Sequence, residues 1–187
     1  MEKVELNKKE NRLAQILSSY KAKYIICTLI YSGLGIAIPR VFHILAGSSS
    51  GATFLPMHLM VLISALTFGI ISATIVAGSS VIFSYLLTGM PAIERMPYML
   101  IELVIYAIIL SIFRKKLNPF ISLGIALVLG RIIYAVILFA STNIFGFNGY
   151  GISVLQSTKM GIPGIIIQLV FVPLIAIYVK KGLKLDD

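Results

Sequence analysis

The sequence is poor in charge and nearly without cysteine. Charged residues make up 12% of its 187 positions, about half the ~25% of an ordinary soluble domain. With 58% hydrophobic residues and a mean hydropathy of +0.98, that shortage excludes a soluble globular enzyme and a disordered tail. The one cysteine, Cys27, lies in an apolar run; it excludes a disulfide scaffold and forms no haem or zinc pattern. His43 and His58 are the only histidines, with no cysteine or carboxylate at ligand spacing, so no metal centre is expected. No internal repeat supports an inverted-repeat transporter. The net charge is +9, but no basic stripe interleaved with aromatics marks a nucleic-acid surface. The remaining class is an integral membrane protein, with room for about six short helices of ~20 residues.

The cations mark its topology. They cluster at Lys3, Lys8, Lys9, Arg12, Lys21 and Lys23, at Arg114, Lys115 and Lys116, and at Lys180, Lys181 and Lys184. The first apolar run covers 24–38, stops at Pro39-Arg40 and is extended to 45. A signal peptide would place cleavage near Ala46-Gly47-Ser48, but Arg40 and His43 interrupt the segment just before it. The apolar stretch 54–87 is too long for one span and short for two. Counted as one, it leaves eight cations on one side and seven on the other. Counted as two, it puts twelve inside and only Arg40, Arg95 and Lys159 outside, which satisfies the positive-inside rule.

The expected fold is therefore an all-α integral membrane protein. It is a six-transmembrane-helix bundle over residues 24–179, with spans at 24–45, 54–68, 71–87, 96–113, 119–140 and 161–179. The turn between the second and third spans falls near Gly69. Pro119 and Pro163 suit first-turn positions, and Pro173 predicts a kink. Residues 141–160 read as an external loop. Both termini are cytoplasmic: residues 1–23 form a basic stretch at an anionic leaflet, and 180–187 form a short charged tail.

Ionisable groups inside spans point to function because lipid penalises them. Glu102 lies 11 residues from the cytoplasmic end of the fourth span and Arg131 lies 12 from that of the fifth, so both sit ~17 Å above the inner boundary. The short link between those spans makes them antiparallel neighbours, and a Glu102–Arg131 pair is feasible. Tyr106 and Tyr134 share the faces of Glu102 and Arg131, with Tyr98 and Met99 one turn outward. Arg40, His43, Met57, His58, Arg95, Asn148 and Lys159 gather at the external ends. The inner half has almost no polar group beyond Ser and Thr. That asymmetry favours an outward-opening pocket sealed below over a through-pore. Gly33 and Ala37 form a small-xxx-small pair on the first helix, for packing within the bundle or for docking a partner.

Pro56-Met57-His58, Thr88-Gly89-Met90-Pro91, Glu102 with Tyr106, and Gly130-Arg131 with Tyr134, in this order and topology, resemble the substrate-binding (S) components of energy-coupling-factor vitamin transporters. The resemblance implies high-affinity binding of a small water-soluble vitamin or precursor in an outward-facing pocket of a multi-pass protein of the prokaryotic plasma membrane. It implies as partners a transmembrane T component and two ATPases, docked through small residues on the first helix; Gly33 and Ala37 fit that role, although the family spacing is usually Ala-x-x-x-Ala. The S component is not itself an enzyme and needs no cofactor, ATP being used by its partners; no Gly-x-x-x-x-Gly-Lys loop is present here. For the ligand, Arg40, Arg131 and Lys159 suit a carboxylate or phosphate, Tyr106 and Tyr134 a ring, and Glu102 a cationic or amide-bearing ring. Two other classes stand beside this reading. A small membrane-embedded lipid-modifying enzyme needs acidic or histidine clusters on the inner half, which are lacking. The other is a ligand-free channel or assembly protein.

Overall fold

The computed structural model describes residues 2–47, 53–93, 95–144 and 154–185. Among them the chain is wholly helical: α1 Glu2–Ala46, α2 Pro56–Thr67, α3 Ile70–Thr88, α4 Met96–Phe113, α5 Pro119–Ile144 and α6 Val154–Leu183. Five of these contain stretches long and apolar enough to cross a membrane, the first being Ser19–Leu45 within α1. Large side chains such as Leu29, Ile44, Leu86, Phe139 and Tyr178 stand exposed along their outer faces. A soluble monomer does not carry so much apolar surface; lipid covers it, and the chain is a multi-pass membrane protein.

The sixth element, α2, is different. Its 12 residues rise only ~18 Å, short of the ~30 Å hydrocarbon core. Eleven of them are buried, as a helix apolar on every side requires. It packs against α1, α3, α4 and α6 and forms the centre of the bundle. Its lower end is fixed by Arg114, whose Nη1 donates to Leu66 O at 3.1 Å and Thr67 O at 2.8 Å, closing carbonyls that a helix terminus leaves open. Gly69 turns the chain into α3 at φ +90° beneath that guanidinium, a conformation glycine adopts freely. Lys23 Nζ donates to Leu183 O at 2.7 Å, bringing the start of the apolar part of α1 to the end of α6. Lys23, Arg114 and the end of α6 thus lie at one end of the bundle, the basic end.

Several boundaries differ from those expected of the sequence. Helix α1 runs unbroken through the expected division at 23–24, while its end at Ala46 lies one residue from the expected 45. The expected second span, 54–68, contracts to α2. Within the expected loop 141–160 the described residues are helical: α5 extends to Ile144 and α6 begins at Val154. Pro163 accordingly lies inside α6 rather than in its first turn.

Small polar side chains join α1, α2 and α3: Thr28 Oγ1 is 2.6 Å from Ser72 Oγ, which is 2.8 Å from Ser64 Oγ. Gly35, not Gly33, is where α1 approaches α3. A β-carbon on Gly35 runs into Ser80 Oγ, while one on Gly33 meets nothing within 4 Å. Gly33 and Ala37 are exposed on the outer face. Gly35→Leu is therefore expected to lower the melting temperature of the purified protein sharply, and Gly33→Leu to leave it within a degree or two. Equal losses in the two variants would contradict this packing.

Candidate functional site

The short length of α2 places its N-terminus part-way through the bundle instead of at its surface. Leu55, just before it, is held at φ 49°, ψ 46°, the left-handed region that costs a branched residue roughly 1–2 kcal/mol. Pro56 follows at the first helical position, where its fixed φ is preorganised and its missing N–H does not matter. Helix α6 holds this turn in place. Gly164 leaves room for the carbonyls of Thr53 and Phe54, and Gln168 Nε2 donates to Leu55 O at 3.2 Å. The same carbonyl accepts the backbone N–H of His58 at 3.1 Å.

Around this buried helix start lies a polar cluster. Arg131 Nη1 is 2.7 Å from Glu102 Oε1, with side chains 14% and 8% exposed; the pair expected from equal depth on neighbouring antiparallel helices is formed. Tyr106, one turn along α4, donates its hydroxyl to the same Oε1 at 3.1 Å. His58 Nε2 lies 3.8 Å from that oxygen, beyond hydrogen-bond length, with its ring centroid 5.7 Å from that of Tyr106. One carboxylate oxygen therefore faces a guanidinium, a phenol and an imidazole edge, close to the positive end of the α2 dipole. Gly130 allows this approach, because a β-carbon there would occupy the space of the Tyr106 ring.

The cluster retains hydrogen-bonding capacity. Among the described residues, both ring nitrogens of His58, Nε of Arg131 and Oε1 of Gln168 are buried without a hydrogen-bond partner. A buried polar group left unsatisfied costs ~1–3 kcal/mol. Several together, beside a backbone outlier, are typical of a site that receives a ligand or water. Half-buried Tyr134 lies within electrostatic range of Glu102, Arg131, Tyr98 and Arg95, which extends the cluster away from the basic end.

The other candidate residues divide clearly by position. Met57 is buried in the core and Met99 packs partly buried against it. Arg40, Arg95 and Lys159 are exposed and His43 is half-buried near the end of α1; none of the described contacts links Arg40, His43 or Lys159 to the cluster. Asn148 lies outside the described residues. Gln168, fully buried, escapes a search of the sequence that follows ionisable groups alone, although an amide in the middle of an apolar span is a comparable signal. Among the described residues no group of three or more His, Cys, Asp or Glu is placed to hold a metal ion. No protein-family model, curated protein or solved structure matches the chain.

Proposed function

We propose that this chain is a membrane-embedded binding subunit for a small water-soluble vitamin or vitamin precursor, serving an uptake system of the energy-coupling-factor type. The observation that carries this reading is the Glu102–Arg131 pair, with Arg131 Nε and both His58 nitrogens buried beside it without a hydrogen-bond partner. A purely structural tie between α4 and α5 has no use for the additional unpaired groups, whereas a ligand satisfies them. The residues of the cluster also belong to the strings that resemble S components: His58, Glu102, Tyr106, Gly130, Arg131 and Tyr134. The basic end faces the cytoplasm by the positive-inside rule, and Tyr134, Tyr98 and Arg95 continue the polar groups toward the other side. Hydrolysis of ATP belongs to partner subunits, and the membrane is a prokaryotic plasma membrane.

Docking of the T component is assigned to the outer face of α1. Gly33 and Ala37 are exposed there, and Gly33 is not needed for packing within the chain. Gly33→Leu is expected to reduce co-purification with a T component at least tenfold while ligand retention is unchanged; undiminished assembly removes Gly33 from the interface. The reading as a whole is tested by native mass spectrometry of the protein purified from rich medium in lipid nanodiscs. The expected result is one small molecule per chain. If nothing rides along and a vitamin panel produces no thermal shift, the reading fails.

A further inference from the structure

The charges inside the cluster restrict the chemistry of the ligand; this step rests on the reading of the cluster as a binding site. Glu102 and Arg131 neutralise one another at 2.7 Å. Arg95 precedes Glu102 by seven residues, ~10 Å along the helix, and is exposed, so it does not share the buried interior of the pair. Arg40 and Lys159, the other cations suited to a carboxylate or phosphate, are exposed outside the cluster. An anion entering here finds the buried guanidinium already paired, and a cation finds the one carboxylate likewise paired. A third charge at this depth is left uncompensated, which is strongly unfavourable.

The unpaired groups are of another kind. Arg131 Nε–H is a donor, a His58 imidazole in its neutral form presents one donor and one acceptor, and Gln168 Oε1 is an acceptor. Arg131 Nη1 and His58 Nε2 flank one oxygen of Glu102, so a single compact polar group can reach both. We propose that the site takes a net-uncharged ligand carrying an amide or lactam edge, whose carbonyl accepts from Arg131 or His58 and whose N–H is accepted by His58 or Gln168, and that it rejects the charged analogues.

The test uses the full chain in nanodiscs at pH 7.5 and probes matched in shape but not charge: nicotinamide against nicotinate, biotinamide against biotin, and pantothenol against pantothenate, with thiamine as a cation. In any pair that binds, the uncharged member is expected to bind at least tenfold more tightly by calorimetry, and any compound released from the purified protein to be uncharged. In Glu102→Gln, Arg131 loses its neutralising partner, and the preference is expected to move at least tenfold toward the acid. A charged member that binds more tightly, a charged co-purified compound, or a preference unmoved in Glu102→Gln overturns this inference and leaves the binding function standing. If no probe binds and nothing co-purifies, the binding function itself falls and takes the inference with it. Should Glu102→Gln fail to fold, the comparison of pairs on the unaltered chain still decides.

Discussion

Arg131→Ala is expected to lower stability by ~3–5 kcal/mol, the usual result of removing one partner from a buried ion pair, and to abolish ligand retention. The Glu102 side chain is 8% exposed and in the variant keeps only the Tyr106 hydroxyl as a strong partner, so its charge is left in a poorly solvating interior. The double variant Glu102→Leu with Arg131→Met separates two roles of the pair. It removes both charges and fills the space with apolar side chains, an exchange that is often neutral or stabilising. Its melting temperature is expected to return to within a few degrees of the parent. Ligand retention is expected not to return, because Arg131 Nε and the Glu102–Tyr106 contact are both gone. Thermal unfolding in nanodiscs and native mass spectrometry of the three proteins give the two readouts. Retention of ligand by the double variant would reduce the pair to a tie between α4 and α5.

The pair is legible in the sequence because lipid leaves few options. Spans must be long and apolar, charges inside them are rare, and two helices joined by a few residues run antiparallel. Glu102 and Arg131, 11 and 12 residues from the same end, then lie at one depth, where a pair is feasible. The cation count likewise divides 54–87 into two helices turning at Gly69, as the fold does. Other features are less accessible to pattern alone. Every residue from Phe54 to Phe68 except His58, Ser64 and Thr67 is apolar or proline, so hydropathy does not mark where α2 begins. Pro56 does, since proline favours the first helical position and constrains the residue before it. Ser141 looks like the start of a loop, yet its hydroxyl donates to Leu138 O at 2.8 Å within α5, the back-bonding that lets serine remain in a helix. Nor can the apolar surroundings of α1 show that Gly35 faces inward and Gly33 outward. That depends on which face meets α3, a tertiary fact.

The short central helix joins these observations. Because α2 stops part-way, its first turn, with His58, is delivered to the depth where Glu102 and Arg131 sit. A full-length span would have carried His58 to the surface and filled the position with another apolar turn. Non-helical backbone at membrane depth is tolerated where protein buries it or a cavity borders it. Here Gln168 and Gly164 of α6 support the Leu55 turn. The same contacts leave one Gln168 oxygen and two His58 nitrogens without partners. Support for the turn and capacity for a ligand thus come from the same few side chains.

Gly130→Ala is the most economical way to disturb this arrangement without removing a polar group. Tyr106 is 1% exposed, with its ring near His58 and closed on the other side by Gly130. A methyl group on residue 130 would occupy the positions of Tyr106 Cε1 and Cδ1. The ring must rotate away, and its hydroxyl then leaves Glu102. Overpacking of this kind costs ~1–3 kcal/mol, and ligand affinity is expected to fall with it, because Glu102 loses its second anchor. Tyr106→Phe alone removes only the hydrogen bond, worth ~0.5–1.5 kcal/mol, and keeps the shape. Tyr106→Leu alone opens space and costs stability through the cavity. Combined with Gly130→Ala, however, it receives the added methyl group. The double variant is expected to be ~1–3 kcal/mol more stable than the sum of the two single losses, the coupling typical of residues in direct contact. Additive losses would mean that residue 130 does not position Tyr106. Coupling in stability together with lost binding in Gly130→Ala would show that a glycine carrying no chemistry of its own sets the place of the phenol, and through it of the carboxylate.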